Sequence, residues 1–86
     1  MIKKPVTIQL KSGLETRPAA FLVQVARQFR SEIYLEVDNR KRVNAKSIMG
    51  MMTLGLDSGD NVVISVNGED EETALHEIEA YLTIQK

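Results

Sequence analysis

Apolar and polar residues alternate in three stretches of the chain, and this period-two pattern predicts half-buried β-strands. A fourth, short strand is predicted around Val43, because Asp38-Asn39-Arg40 has the composition of a hairpin turn. The three alternating sets are Val6/Ile8/Leu10, Ile33/Leu35/Val37 and Val62/Ile64/Val66.

Between these strands the apolar spacing lengthens to that of an α-helix. The first helix begins around Pro18, whose missing N–H does no harm in a first turn, and a short one follows Ser47. The last begins in an acidic stretch after Asn67-Gly68, where carboxylates complement the helix dipole. The order βαββαβα predicts a single α+β domain spanning residues 1–86. In this fold, three helices cover one face of a four-stranded antiparallel sheet, an open-faced β-sandwich.

Composition narrows the class of protein. Of the 86 residues, 43% are hydrophobic and 27% charged, and none is cysteine, so disulfides and thiolate metal sites are excluded. No apolar run approaches the roughly 20 residues of a membrane span, and we expect a cytoplasmic protein that does not bind membranes.

The net charge of −1 conceals a strong asymmetry along the chain. Residues 1–56 carry ten Lys/Arg against four Asp/Glu, whereas residues 68–86 carry six Asp/Glu against Lys86 alone. The basic part of the chain could present a positive face to an anionic or acidic partner. A solvated surface with segregated charges explains the same counts, and both interpretations stay open at this point.

The sequence Glu15-Thr16-Arg17 precedes the first helix. An arginine in a first turn opposes the helix dipole by roughly 0.3–1 kcal/mol, which indicates that Arg17 serves to hold an incoming anion. The alternative is that Glu15 and Arg17 form an ordinary surface ion pair.

Ser47 precedes the short helix, where its hydroxyl is predicted to cap a free backbone N–H. The same position suits a phosphoryl group, which would bring about −1.5 to −2 charges to a positive helix end. Lys46 is adjacent and adds positive charge.

The short helix is crowded with Ile48, Met49, Met51 and Met52. One helix face cannot bury all four, so some of them are predicted to face outward and to form a docking surface. Burial under a neighbouring loop is the alternative.

No cluster of catalytic residues is evident. His76, the one histidine, is predicted on the polar side of the last helix, and no phosphate-binding loop or metal-ligand set is present, so no enzyme and no cofactor is predicted. The element order also describes RNA-recognition modules, but Tyr34 is the only aromatic residue on the strands. Direct nucleic-acid binding is therefore not expected.

The motifs GLETRPAAFLVQVA (13–26) and VNAKSIMGMMTLGL (43–56) resemble those of the HPr family, the small phosphocarriers of the sugar phosphotransferase system. Within that family the chain looks most similar to the Crh group, the HPr-like proteins of catabolite repression in Bacillus-type bacteria. The resemblance spans nearly the whole chain and implies the open-faced β-sandwich fold.

The resemblance also implies a mechanism. Ser47 corresponds to a serine phosphorylated with ATP by HPr kinase/phosphorylase, after which the protein acts as a corepressor of catabolite control protein A, a LacI-type repressor. Arg17 and Lys46 would then supply charged contacts to the partner. The implied apolar docking patch consists of Ile48, Met49 and Met52.

Glu15 stands where HPr proper has its phosphocarrier histidine, so sugar-transport phosphotransfer is not expected. The Crh group usually has glutamine there, and one hypothesis is that the Glu15 charge mimics a phosphorylated histidine. An alternative function is phosphotransfer with Glu15 as an acyl-phosphate acceptor.

Three further expectations follow from the sequence. The hairpin Asp38–Arg42 is one residue longer than the family's usual turn. A monomer is expected, with strand exchange into a dimer as an alternative. Direct binding to a metabolic enzyme, without the repressor, is a third candidate function.

Overall fold

The computed structural model describes residues 1–10, 16–37 and 41–83, with the side chains of Thr16 and Arg17 left out. Most of the lengthened hairpin, residues 38–40, and the candidate residue Glu15 lie outside the described residues. The order of elements is the predicted one. These are β1 (Ile2–Thr7), α1 (Thr16–Ala26), β2 (Glu32–Val37), β3 (Lys41–Asn44), α2 (Ile48–Met52), β4 (Asn61–Asn67) and α3 (Glu71–Leu82).

The four strands form one antiparallel sheet in the order β1-β4-β2-β3. The last strand in sequence, β4, therefore lies in the interior of the sheet between β1 and β2. Cross-strand partners share a face, and the pairs Ile33–Val66 and Leu35–Ile64 are buried together. The alternating sets that predict β2 and β4 are confirmed.

All three helices contribute to a single hydrophobic core with this apolar face. Leu22 of α1, Met51 of α2 and Ile78 of α3 are each fully buried in the same cluster as the strand residues. Burial of one such side chain stabilises the fold by about 1.5–3 kcal/mol. The predicted α+β architecture, with its four-stranded antiparallel sheet and three helices, is confirmed.

The predicted bounds of β1 are wrong. The strand covers Ile2–Thr7, not the alternating set that runs from Val6 to Leu10. Its first half lacks alternation because it lies at the sheet edge, where Pro5 is tolerated and Lys4 reaches Glu79 of α3 at 2.8 Å.

The burial expected of Val6 and Ile8 is nevertheless confirmed. Ile8 lies beyond β1, but its backbone stays paired with the turn before β4. Its N–H donates to the Asp60 carbonyl at 2.8 Å, and its carbonyl accepts from the Gly59 N–H at 2.7 Å.

Asp70, at the start of α3, ties this helix to the beginning of β2. The carboxylate caps no N–H of its own helix. It accepts hydrogen bonds from the Ser31 hydroxyl and from the backbone N–H groups of Ser31 and Arg30, the latter two at 2.9 Å. Chiefly the Ser31 hydroxyl, and then the Arg30 N–H, lower the pKa of Asp70 from 3.8 to about 2.

Gly68 permits this close approach of the two segments. A Cβ atom at position 68 would lie 2.5 Å from the Ser31 hydroxyl oxygen and 2.6 Å from the Ser31 Cα. Residue 68 must therefore be glycine for Asp70 to reach Ser31.

Candidate functional site

Ser47 caps the short helix α2. It has an extended backbone (φ −106°, ψ 113°), and its hydroxyl accepts a hydrogen bond from the Gly50 N–H at 3.3 Å. The capping role predicted from the sequence is confirmed. The side chain is only half-buried, so the hydroxyl lies where solvent reaches the residue.

The segment before Ser47 is held by backbone hydrogen bonds on both sides. The buried Ala45 donates its N–H to the Ile33 carbonyl at 2.8 Å, which fixes the segment to β2. The side-chain oxygen of Asn44 accepts from the Lys46 N–H at 2.8 Å, and its carbonyl accepts from the Ser47 N–H at 3.0 Å. The position of Ser47 is thus set by the sheet rather than by α2 alone.

Two cations connect this segment with the end of α1. The Lys46 ammonium donates to the Phe29 carbonyl at 2.6 Å, and the Arg27 Nε donates to the Lys46 carbonyl at 3.1 Å. Reasoning from the sequence found Lys46 but missed Arg27. No local pattern marks it, because Arg27 and Lys46 are 19 residues apart in the chain.

The methionines of α2 divide into buried and exposed residues. Met51 is fully buried in the core, whereas Met49 is 78% exposed and Met52 50% exposed. Ile48 is partly buried and packs against the core. The prediction that some of these residues face outward is confirmed, and Met49 and Met52 form an exposed apolar patch, here called the α2 patch.

Cationic side chains lie at both ends of α2. The Lys41 ammonium donates to the Thr53 carbonyl at 2.6 Å, at the end of α2. Lys41, Lys46 and Arg27 therefore all bind backbone carbonyls, and within residues 1–10, 16–37 and 41–83 no ion pair joins any of them to a carboxylate.

The predicted anion-binding start of α1 is described only in part. Arg17 is the second residue of α1, and Glu15 lies outside the described residues. The next residue, Pro18, accepts a hydrogen bond from the Tyr81 hydroxyl at 3.3 Å, which fixes this end of α1 to α3.

His76 is exposed on α3, as expected for a surface residue. Among the described residues, no group of three or more His, Cys, Asp or Glu is arranged to hold a metal ion. No helix in the same ranges is long and apolar enough to cross a membrane.

The open-faced β-sandwich thus carries a capping serine, Ser47, on the same short element as an exposed apolar patch. A family profile described as "PTS HPr component phosphorylation site" matches residues 2–83. The chain therefore belongs to the HPr family.

Similar proteins come from both branches of that family. The HPr-like protein Crh of Bacillus subtilis is 48% identical over 82 residues, which are 95% of each chain. The phosphocarrier protein HPr of Bacillus anthracis is 46% identical, with a TM-score of 0.90 over 94% of this chain and 95% of its own. A crystal structure of B. subtilis Crh, described as a dimer with a swapping domain, is 44% identical, with a TM-score of 0.76 over the full length of both chains.

Proposed function

We propose that this chain is a regulatory HPr-like protein of carbon catabolite repression, located in the cytoplasm. HPr kinase/phosphorylase phosphorylates Ser47, and the phosphorylated form acts as a corepressor of catabolite control protein A. The chain is not itself an enzyme and does not contact DNA directly. Because Glu15 stands at the place of the phosphocarrier histidine, it does not act as a carrier in sugar transport.

The arrangement at α2 carries this proposal. The Ser47 hydroxyl lies at the start of the helix, and the α2 patch exposes Met49 and Met52 on the same short element. A phosphoryl group there adds about −1.5 to −2 charges beside an apolar contact surface. A partner can then require both the apolar contact and the new charge, which gives a switch without a change of fold.

Phosphorylation is tested by incubating the protein with HPr kinase/phosphorylase and ATP and mapping the product by peptide mass spectrometry. We expect one phosphoryl group on Ser47 and none in Ser47→Ala. Ser58 is exposed in the turn before β4, so Ser58→Ala is the matched control and should be modified like the wild type. An unmodified wild-type protein would overturn the proposal.

Repressor binding is tested separately with protein in which Ser47 is phosphorylated. Met49→Ala and Met52→Ala should each weaken binding to catabolite control protein A several-fold, since exposed apolar anchors carry much of an interface's energy. Ile48, Arg17 and Lys46 complete the proposed contact set. If phosphorylated and unmodified protein bind the repressor equally well, binding does not depend on Ser47 phosphorylation, and the corepressor role is contradicted.

A second candidate is phosphotransfer through Glu15, which is favoured by the phosphocarrier proteins among the relatives. A Glu15 carboxylate oxygen would attack the phosphorus of phosphorylated enzyme I. The bond between that phosphorus and the enzyme I nitrogen that carried it would break. Incubation with labelled phosphoenolpyruvate and enzyme I tests this candidate. Label that is released by hydroxylamine and absent in Glu15→Gln would support it, and no label would eliminate it.

A monomer is the proposed working form, and exchange of β1 with a second copy is a further candidate, given the swapped dimer of a relative. Among the described residues, the strand lies at the sheet edge and pairs with β4 alone. Light scattering over a range of protein concentrations distinguishes the two states.

A further inference from the structure

Arg27 brings an exposed guanidinium group to the residue before Ser47. Its Nε donates to the Lys46 carbonyl at 3.1 Å. Since a carbonyl oxygen lies about 2.8 Å from the Cα of the next residue in a trans peptide, this nitrogen lies within about 6 Å of the Ser47 Cα. A phosphoryl group on the Ser47 hydroxyl extends over a similar distance, so guanidinium and phosphate come within reach of each other.

The other charged groups around Ser47 are engaged differently. Lys46, the nearest in sequence, points its ammonium to the Phe29 carbonyl at 2.6 Å. Lys41 lies at the opposite end of α2, on the Thr53 carbonyl. The helix itself has no charged residue, and among the described residues Arg27 forms no ion pair with a carboxylate.

The Arg27 guanidinium has more N–H donors than its observed hydrogen bond uses. A guanidinium carries five N–H donors in a fixed planar fork, and the hydrogen bond to the Lys46 carbonyl uses one of them. This arrangement anchors the group near Ser47 and leaves the remaining N–H groups for an anion. Guanidinium groups bind phosphates well because two parallel hydrogen bonds match the phosphate geometry.

We propose that Arg27 is the residue that binds the phosphate of phosphorylated Ser47 within the same chain. It is a positioning residue: it fixes the phosphate against the segment 44–47 and neutralises part of its charge. The inference rests on the proposed function only in taking Ser47 as the modified residue. It adds a receptor for the phosphate just after α1, which neither the capping geometry nor the α2 patch provides.

The proposal predicts the ionisation of the phosphate. A nearby cation favours the dianion, so Arg27 lowers the second pKa of the phosphate, which is about 6 for free phosphoserine. For an exposed ion pair, Arg27→Gln should raise this pKa by about 0.1–0.7 of a pH unit.

The test uses full-length protein with phosphoserine incorporated at position 47 during translation, followed through a pH titration by ³¹P NMR. Arg42→Gln is the charge-matched control. Arg42 lies on the helix-free face of the sheet, 3.9 Å from Glu36 and over the Tyr34 ring. We expect Arg27→Gln to raise the phosphate pKa and Arg42→Gln to leave it nearly unchanged. Equal shifts in the two variants would overturn the proposal, because they would report net charge alone.

A second measurement distinguishes binding from general electrostatics. In the wild type, the Arg27 Nε–H resonance should move on phosphorylation and become less sensitive to exchange with water. Arg27→Lys keeps the charge but loses the fork, so it should recover only part of the pKa difference. An Nε–H resonance that is the same with and without phosphate would contradict a direct contact.

Failure of this inference is distinguishable from failure of the proposed function. Since phosphoserine is installed during synthesis, the titration needs neither the kinase nor the repressor. If the kinase phosphorylates Ser47 normally but Arg27→Gln leaves the phosphate pKa unchanged, only the proposed role of Arg27 fails. If the phosphate pKa depends on Arg27 but the kinase does not modify the protein, the role of Arg27 as phosphate receptor stands and the proposed regulation by phosphorylation fails.

Discussion

Charged side chains around α3 and around α2 have different kinds of partner. At α3, the N-terminal amine binds Glu71 at 3.1 Å, Lys4 binds Glu79 at 2.8 Å, and Asp70 fixes the start of β2. Around α2, the cations bind backbone carbonyls, and apolar side chains stay exposed. Charged groups at α3 therefore join elements of the fold, whereas the cations around α2 form no ion pair with a described carboxylate.

This difference indicates how one small domain can be both stable and adaptable. Ion pairs and the backbone N–H groups that donate to Asp70 fix α3, so α2 can expose Met49 and Met52 at little cost to the fold. We therefore expect substitutions at α3 to change stability and leave docking intact. Substitutions on the outer side of α2 should do the reverse.

Met51→Ala should have the largest effect on stability. Its side chain is fully buried, and loss of a buried methionine costs about 2–5 kcal/mol through lost burial and a remaining cavity. Met49→Ala, two residues away, should change stability by less than about 0.5 kcal/mol because the side chain is exposed. Urea unfolding of both variants measures the contrast. Similar losses would mean that α2 has no separate outer side.

Gly68→Ala should have the next largest effect. We expect it to lower the free energy of unfolding by about 1–3 kcal/mol, because the added Cβ overpacks against Ser31. Gly55→Ala is the control. Gly55 has a positive φ of 59°, but no atom lies within 4 Å of the added Cβ, so it reports backbone strain alone. Thermal unfolding of the two variants compares them, and a smaller loss at position 68 than at position 55 would contradict the proposed close approach.

Asp70→Asn should change the acid dependence of stability. Because folding lowers the pKa of Asp70 to about 2 from 3.8, its contribution is fully present above about pH 4 and is lost as the pH falls through about 2. The wild type should therefore lose more stability than Asp70→Asn over this range. Chemical unfolding at several pH values measures the difference. Parallel curves would show that the carboxylate is not held as described.

Arg30→Gln should have the smallest effect. Arg30 and Glu69 are 87% and 86% exposed and lie 3.9 Å apart, and such surface pairs contribute about 0–1 kcal/mol. We expect a change below about 0.5 kcal/mol in urea unfolding and none in repressor binding. A larger loss would show that even exposed pairs help to close the α3 end.

Most of the fold was predictable because its strands and helices bury one face each. Val62, Ile64 and Val66 alternate clearly, and β4 lies where they predict it. The start of β1 was not predictable, because an edge strand with Lys3, Lys4 and Pro5 has no apolar period. Acids in the first turn of α3 were predicted and are present as Glu71 and Glu72. The contact of Asp70 with residues 39 and 40 positions away was not predictable from local sequence.

The candidate site was predictable where local chemistry defines it. A serine before a short helix indicates a cap, and an excess of methionines indicates an exposed surface. The contact of Arg27 with Lys46 depends on how α1 packs beside the segment before α2, and no local spacing encodes it. The sequence also could not assign the outward positions among the methionines of α2.

The strand order has a consequence for protein synthesis. β1 (Ile2–Thr7) is synthesised long before β4 (Asn61–Asn67), the strand with which it pairs in the described sheet. Pairing between such distant segments is slow, because a long loop must close first. The sheet can therefore be completed only after β4 has been synthesised. Until then, β1 of a nascent chain lacks the strand partner that it has in the folded domain.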